Sequence, residues 1–293
     1  MSTAAPFDRR LVALRRARAA ARVEAVAPIL DHAAALLLER LDDTTRRFSR
    51  ALDLGGRGAV APALRARGIP FVVSMDLAPA MAARAGGLPV AGDEEWLPFA
   101  PESFDLIVAS LGLHWVNDLP GALIQIRRAL VPDGLLLASL PGLGTLQGLR
   151  EALAAAESET RGGVSPRVSP FPELRDAAAL LQRAGFALPV ADQERLSLAW
   201  RTPMGLIADL RAAGETNAAA ARDRRIPPRA MFPLAFARMP LEITAPLLVM
   251  TGWAPHESQP RPARPGSATH RLADALGTRE HKAGERTAPK KPG

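Results

Sequence analysis

The sequence predicts an α/β fold in which helices cover both faces of a mostly parallel sheet. Short apolar runs alternate with helical segments between residues 50 and 140, at the spacing of βαβ units. Three of these runs lead directly into glycines or acidic residues. Because parallel strands present their carboxyl ends at one edge of a sheet, we expect a ligand crevice along that edge.

The elements follow in chain order. Strands are predicted at 50–54, 71–75, 88–91, 104–110 and 134–140, with helices at 58–67, 79–84 and 119–130. Further helices are predicted at 145–158, 174–184 and 204–212, and further strands within 187–200 and at 247–253. Residues 7–40 predict a helical segment that breaks at Pro28, since proline disrupts a helix interior.

These elements suggest three regions along the chain. We expect an N-terminal helical arm at 1–45, an α/β domain at 46–260 and a C-terminal extension at 261–293. The domain divides into a cofactor half at 50–140 and a substrate half at 141–260. The extension is rich in Pro, Arg, Lys and Gly, a composition that predicts disorder from about residue 278.

Composition excludes several classes of function. The 293 residues contain no cysteine, which rules out disulfides, thiolate metal ligands and a cysteine nucleophile. The net charge is +7, but aromatic residues make up only 4% and tyrosine is absent, so we expect no nucleic-acid partner. No apolar run is long enough to predict a membrane span. Residues 9–22 are arginine-rich like a transit peptide, but their helical apolar spacing favours a folded segment.

A glycine-rich turn follows the first predicted strand. It runs from Asp53 through Gly55, Gly56 and Gly58 into a helix. Glycine lets the backbone approach a ligand closely, and the free N–H groups of a helix start can bind it. Such a turn also occurs as a simple strand-to-helix connection, so alone it identifies no ligand.

Acidic residues after the next two strands complete the pattern. Asp76 ends the second strand, where a carboxylate can accept both hydroxyl protons of a ribose. Asp93 and Glu94 follow the third strand, where they can accept from the exocyclic amine of adenine. In this order, the glycine turn and the two acidic positions predict a nucleoside site.

This set resembles the type 11 group of class I S-adenosylmethionine-dependent methyltransferases, whose signature also includes the Leu-Pro-Phe and Phe-Asp found at 97–99 and 104–105. The resemblance implies a Rossmann-like fold with a seven-stranded sheet, a helical insertion after strand five and S-adenosylmethionine as the cofactor. It implies that the glycine turn cradles the methionine part and that the acids bind the nucleoside. The residues implied to bind the cofactor are Asp53, Gly55, Gly56, Gly58, Asp76, Leu77, Asp93, Glu94 and Leu111.

The glycine turn departs from the group's pattern. Arg57 and Ala59 stand where that pattern has glycines, as though one residue were deleted. The long side chain of Arg57 then lies where the group's pattern has no side chain. We therefore expect it to affect the affinity for the cofactor.

Over about residues 6–277 the chain resembles a narrower family, that of complex I assembly factor 5. The segments that carry this resemblance are 7–9, 110–120, 144–146, 162–166, 169–171, 183–186, 209–217, 252–253, 256–259 and 266–268, most of them after residue 140. The resemblance implies hydroxylation of an arginine in the complex I iron–sulfur subunit next to the quinone site. It also implies a cytoplasmic location in a bacterium, the mitochondrial matrix in eukaryotic relatives, and membrane association only through complex I.

Candidate catalytic residues follow the fourth strand. His114 is placed to act as a general base, or alternatively to pack the crevice wall. Trp115 and Asn117 are expected to line the same pocket, with Trp115 against an arginine guanidinium. Four acids could bind that cation or could be solvated, the solvated interpretation being favoured for Asp209: Glu157, Glu159, Asp209 and Glu215. The arginine run at 15–18 is interpreted as a solvated helix face.

The oxidant for a hydroxylation is not apparent from the sequence. Activating oxygen usually requires iron, haem or flavin, and the common non-haem iron site contains two histidines and one carboxylate. No His-x-Asp or His-x-Glu pair is present, and His256 follows a final strand expected to run antiparallel, away from His114. We therefore predict no metal site.

Two other functions remain open. Residues 104–115 are shared with methyltransferases that act on small molecules or acyl-carrier proteins. Arg57 and Ala59 instead favour a non-catalytic assembly chaperone with a relic cofactor pocket.

Overall fold

A computed structural model describes residues 5–260 and 271–278 of the chain. Within these residues one sheet contains all the strands that the sequence predicts. They are β1 (Arg50–Leu54), β2 (Phe71–Asp76), β3 (Leu88–Ala91), β4 (Phe104–Ser110), β5 (Leu130–Pro141), β6 (Ala187–Ala199) and β7 (Glu242–Trp253). The seven strands lie in the order β3-β2-β1-β4-β5-β7-β6.

The strand directions give the sheet one carboxyl edge. β1 pairs in parallel with β2 and β4, β2 with β3, and β4 with β5, whereas β7 is antiparallel to both β5 and β6. The loops after β1, β2, β3, β4 and β5 therefore emerge at the same edge, as expected for a parallel sheet. The predicted Rossmann-like fold, with a mostly parallel seven-stranded sheet, is confirmed.

Ten α-helices are described around and beyond this sheet. They are α1 (Arg9–Ala19), α2 (Ala27–Leu38), α3 (Val60–Ala66), α4 (Pro79–Ala82), α5 (Leu119–Ala129), α6 (Gln147–Arg161), α7 (Leu174–Arg183), α8 (Pro203–Ala212), α9 (Met231–Phe236) and α10 (Leu272–Leu276). No helix among the described residues is long and apolar enough to cross a membrane.

Each face of the sheet is covered by helices. On one face α5 and α7 bury residues such as Leu123 and Leu181 against β1, β4 and β5. On the other face α2 and α3 bury residues such as Leu37 and Leu64 against the same central strands. Because β4 is covered on both sides, residues Phe104 to Ala109 are all buried, and all of them except Asp105 are apolar.

The N-terminal helix breaks earlier than predicted. α1 ends at Ala19, a short 3₁₀ turn spans Val23–Val26, and α2 starts at Ala27. Pro28 lies in the first turn of α2, where its missing N–H would have no helical partner in any case. The predicted break at Pro28 is therefore wrong, because proline starts a helix there.

A third apolar core lies apart from the two sheet faces. α6, α8 and α9 contribute to it through Leu149, Leu206 and Met231, together with Ile243 of β7. The sequence did not predict α9, and β7 begins at Glu242 rather than at residue 247 because its early residues pair with β6.

The chain divides into two compact units, residues 1–257 and 258–293. In the second unit the structure describes α10, a short helix that the sequence did not predict. The predicted disorder beyond residue 278 concerns residues outside those the structure describes.

Candidate cofactor and substrate site

The glycine turn after β1 packs against the loop that follows β4. Gly55 has a φ of 77°, and a Cβ on it would lie 2.8 Å from the Cα of Gly112. Gly58 has a φ of 97°, which also favours glycine. The turn needs its glycines for this backbone conformation and for the close crossing of two loops.

Asp53, the first acid of the motif, is buried beneath that turn. Its Oδ2 accepts a hydrogen bond from the Ser74 hydroxyl at 3.4 Å, and its Oδ1 has no partner among the described residues. Burial raises the pKa of Asp53 from 3.8 to about 7. Asp53 therefore retains its proton to a higher pH than an ordinary aspartate does.

The acids predicted to bind the nucleoside are bound to helix α1 instead. Asp76 accepts from the backbone N–H of Ala78 at 2.7 Å and from Arg16 Nη1 at 3.0 Å. Glu94 accepts from Arg16 Nη1 at 2.9 Å through Oε1 and from Arg9 through Oε2. The side chains of Asp76, Glu94 and Arg16 are all fully buried.

Arg16 is a buried cation between two buried carboxylates. Burial alone would lower the pKa of its guanidinium, but Asp76 and Glu94 outweigh burial and raise it. Its Nη2 also donates to the carbonyl of Gly112 at 3.3 Å. Arg9 adds a second guanidinium, which donates to Asp93 at 2.6 Å and to the carbonyl of Trp115 at 3.1 Å.

The interpretation of residues 15–18 as a solvated helix face is wrong for Arg16. This residue lies on the buried face of α1 with Val12 and Ala19. Arg18 is exposed, as predicted, whereas Arg15 is half-buried and donates to the carbonyl of Thr216. The paired acids stabilise a buried arginine that composition alone could not place.

Residue types at the nucleoside site fit an S-adenosyl cofactor, but their arrangement does not. Both oxygens of Asp76 and both oxygens of Glu94 already accept hydrogen bonds from the chain itself. Neither carboxylate is exposed. A ribose or an adenine amine could reach them only after the α1 arginines had moved.

A second polar cluster centres on Glu215, just beyond α8. Its Oε2 accepts from the Trp115 indole N–H at 2.6 Å and lies 2.6 Å from His114 Nε2, while Oε1 accepts from Arg57. Burial alone would raise the pKa of Glu215, but His114 and Arg57 lower it below its usual range. Glu215 is therefore a carboxylate that holds three side chains in place.

Arg57, the departure from the glycine pattern, is part of this cluster. Its guanidinium is buried and donates to the carbonyls of Ser110, at 3.3 Å, and Leu111. Leu111 has a φ of 51°, an unusual conformation for a residue other than glycine. Arg57 thus links the glycine turn, the end of β4 and the segment after α8.

A cavity of about 380 Å³ opens beside the Glu215 cluster. Its polar lining includes His114, Trp115, Asp209 and Glu215. Its walls are otherwise mainly apolar and include Leu146, Leu149, Leu153, Phe171, Trp200, Leu206, Phe232 and Ile243. The cavity therefore joins the carboxyl edge of the sheet to the apolar core formed by α6, α8 and α9.

Asp209 is half-buried, so the favoured interpretation as a solvated helix residue holds only in part. It lines the cavity, and its Oδ2 accepts from the Trp200 indole N–H at 2.7 Å. Its Oδ1 makes no hydrogen bond within the described parts of the chain. An acid and an indole are thus joined in one wall of an apolar cavity.

The remaining predicted residues are dispersed. Asn117 does not line the cavity, since its side chain bonds to both backbone groups of Phe7, at 2.8 and 3.3 Å. Leu77 packs with Phe7 and Trp115. Glu157 is bound by Arg167 and Ser165 instead of facing a ligand.

Glu159 and His256 both lie away from the candidate site. Glu159 is exposed and pairs with Arg238 at 2.6 Å, away from the cavity lining. His256 follows β7, whose antiparallel direction takes it to the edge opposite His114, as expected. Among the described residues no group of three histidine or acidic side chains is arranged to hold a metal ion.

Sequence reasoning missed Arg9 and Arg16 as partners of the predicted acids. A signal was present, because positions 9 and 16 lie two helical turns apart on the face that also carries Val12 and Ala19. An arginine within a buried face predicts buried carboxylates opposite it.

Known proteins resemble this chain in fold and in sequence. A family model for a methyltransferase domain matches residues 52–138. The YcgJ protein of Bacillus subtilis has a similar fold, with a TM-score of 0.52 at 17% identity, over 77% of this chain and 99% of that protein.

Relatives in sequence carry two different names. Arginine-hydroxylase NDUFAF5, mitochondrial, of Rattus norvegicus is 37% identical over 252 residues, which cover 81% of this chain and 74% of that protein. Malonyl-[acyl-carrier protein] O-methyltransferase of Gallionella capsiferriformans is 31% identical over 232 residues, covering 74% of this chain and 78% of that protein. The chain therefore belongs to the class I S-adenosylmethionine-dependent methyltransferase superfamily and, within it, to the family of the arginine-hydroxylase NDUFAF5.

Proposed function

We propose that the chain is an enzyme that hydroxylates an arginine side chain in the iron–sulfur subunit of respiratory complex I, next to the quinone site, during assembly of that complex. Its relatives named arginine-hydroxylase support the reaction type. The single observation that carries the proposal is the apolar cavity with the Trp200–Asp209 pair in its wall. In a bacterium this reaction would take place in the cytoplasm, with membrane association only through complex I.

An arginine side chain has a hydrocarbon stem and a planar cation, and the cavity offers a partner for each. Leu149 and Leu206 belong to its apolar walls and suit the stem. The open Oδ1 of Asp209 can accept a charge-assisted hydrogen bond from the guanidinium. The indole of Trp200, fixed by its bond to Asp209, offers an aromatic surface for the same cation.

The His114 cluster supplies a candidate proton acceptor in the same cavity. When Nε2 of His114 donates to Glu215, Nδ1 is left as the basic nitrogen. This Nδ1 is buried and has no hydrogen-bond partner among the described residues, so the ring must turn before Nδ1 can accept a proton from a ligand in the cavity. Hydroxylation also requires an activated oxygen species, and analysis of small molecules that copurify with the protein is the way to identify its source.

Mass spectrometry of the iron–sulfur subunit tests the proposal. Subunit from cells that lack this chain should carry unmodified arginine at the quinone-proximal position, and expression of the wild-type chain should restore the hydroxyl group. Asp209→Asn should fail to restore it, whereas Asp43→Asn, which changes an exposed turn residue, should restore it. Hydroxyarginine that persists in cells without the chain would refute the proposal.

A second candidate is methyl transfer to a carboxylate carried by an acyl-carrier protein. The relatives named malonyl-[acyl-carrier protein] O-methyltransferase favour it. Arg15 also favours it, because this half-buried cavity residue hydrogen-bonds a backbone carbonyl and could pair with an anionic group. Labelled S-adenosylmethionine incubated with the protein and malonyl-acyl-carrier protein tests this candidate, and no transfer of label would count against it.

A further inference from the structure

We propose that α1 is a displaceable plug whose arginines occupy the nucleoside site, so that a nucleoside cofactor enters only when Arg16 withdraws. The inference deepens the proposed function, because it rests on an S-adenosyl nucleoside being the ligand of Asp76 and Glu94. It explains why the residue types fit that cofactor while their arrangement does not.

Arg16 takes the place that the fold provides for a ligand. Its Nη1 bridges Asp76 and Glu94 at 3.0 and 2.9 Å; Asp76 ends β2 and Glu94 follows β3, both at the carboxyl edge of the sheet. The same nitrogen lies 3.7 Å from the position that a Cβ on Gly55 would occupy. The guanidinium therefore lies between the glycine turn and the acids, in the crevice where parallel sheets bind ligands.

The hydrogen-bond chemistry of the plug matches that of a nucleoside. Ribose hydroxyls and the adenine amine are donors, and each would need a carboxylate oxygen as acceptor. Arg16 and Arg9 are also donors, and between them they use Oδ2 of Asp76 and both oxygens of Glu94. The two sets of donors need the same acceptors and therefore compete.

The construction of α1 favours exchange over permanent burial. Of its 11 residues, only Val12, Arg16 and Ala19 are buried. Ion pairs thus provide much of the attachment of this helix, and polar donors from a ligand can substitute for them. A turn at residues 20–22 and a 3₁₀ turn separate α1 from α2. The two helices share one apolar cluster, to which α1 contributes only Ala19, so α1 can withdraw at the cost of that contact.

In every molecule of the free protein, Arg16 is expected to compete with the nucleoside for the carboxylates of Asp76 and Glu94. Removing a buried cation from two buried carboxylates is costly unless other donors replace it. In the free protein the closed arrangement should therefore dominate, and the apparent affinity for the nucleoside should be reduced by the small fraction of open molecules. Replacing Arg16 should raise that fraction.

Calorimetry with S-adenosylhomocysteine tests the competition. Arg16→Gln keeps a hydrogen-bond donor but removes the charge, and we expect it to bind about tenfold more tightly than the wild type. Arg18→Gln is the matched control, since Arg18 is exposed on the same helix, and its affinity should equal that of the wild type. Equal, weaker or absent binding by Arg16→Gln would overturn the proposal.

Hydrogen exchange of the wild-type chain provides a measurement that needs no variant. Saturating S-adenosylhomocysteine should speed the amide exchange of residues 9–19 while the sheet stays protected. Amide exchange in α1 that is unchanged or slowed by the ligand would contradict the proposal that α1 withdraws on binding. This result holds even if Arg16→Gln fails to fold. The arginine-hydroxylase proposal is tested separately, by measuring hydroxyarginine in the iron–sulfur subunit. Either proposal can therefore fail while the other holds.

Discussion

Replacement of Asp53 by asparagine should make the chain more stable at neutral pH, although Asp53 belongs to the cofactor motif. The side chain is buried, and its Oδ1 has no hydrogen-bond partner among the described residues. Asparagine has nearly the same shape as a protonated aspartic acid but carries no charge at any pH. The substitution therefore removes the ionisation of this one group with little change in packing.

The size of the effect follows from the pKa of Asp53. Burial raises it to about 7 in the folded protein, against 3.8 for an ordinary aspartate side chain. The folded chain thus binds a proton that the unfolded chain releases, and the free energy of unfolding falls as pH rises from about 4 to about 7. Over this pH range the wild type should lose roughly 4 kcal/mol of its free energy of unfolding, and Asp53→Asn should not show this loss.

Urea denaturation followed by circular dichroism measures this effect. The free energy of unfolding should be obtained at several pH values for the wild type, for Asp53→Asn and for Asp43→Asn, in which an exposed turn residue changes. The advantage of Asp53→Asn over the wild type should grow between pH 5 and 8, by a few kcal/mol. A gain in free energy of unfolding that does not change with pH would refute the inference that burial raises the pKa of Asp53.

Three further substitutions test the packing and the polar clusters. Glu215→Gln should lower the free energy of unfolding by about 3 kcal/mol, because it leaves the buried guanidinium of Arg57 without a carboxylate, and no loss in urea denaturation would contradict this role. Leu37→Ala should cost about 2–5 kcal/mol, because Leu37 is fully buried between α2 and the sheet, and a cost below 1 kcal/mol would contradict that packing. Arg18→Gln should change stability by less than about 0.5 kcal/mol, and a larger change in melting temperature would show an unseen contact of this exposed residue.

The sheet was predictable because its signals are local. The mostly apolar run at Phe104–Ser110 indicates a buried strand, and the glycine turn after Asp53 indicates the end of another. Neither signal depends on distant residues. α9 was missed for the opposite reason. Its six residues, Met231–Phe236, include Pro233, and the helix packs chiefly against α6, which lies far away in the sequence.

The candidate site was predictable in its residue types but not in its pairing. Asp76 and Glu94 could be placed at the carboxyl edge from strand order alone. Their partner Arg16 comes from a helix before the sheet, and no local pattern reports which acid a distant arginine will meet. Asp209 was misjudged for another reason. Its partner Trp200 is only nine residues away, but the burial of both depends on how α8 packs against the core that α6 and α9 help to form.

Binding of arginine peptides to the purified protein shows directly whether the cavity recognises an arginine side chain. A peptide from the iron–sulfur subunit should bind with arginine at the quinone-proximal position, and at least about tenfold more weakly with neutral citrulline in its place. Asp209→Asn should remove this preference, because the open oxygen of Asp209 is the proposed partner of the guanidinium. Equal binding of the arginine and citrulline peptides by the wild type would show that the cavity does not recognise the guanidinium.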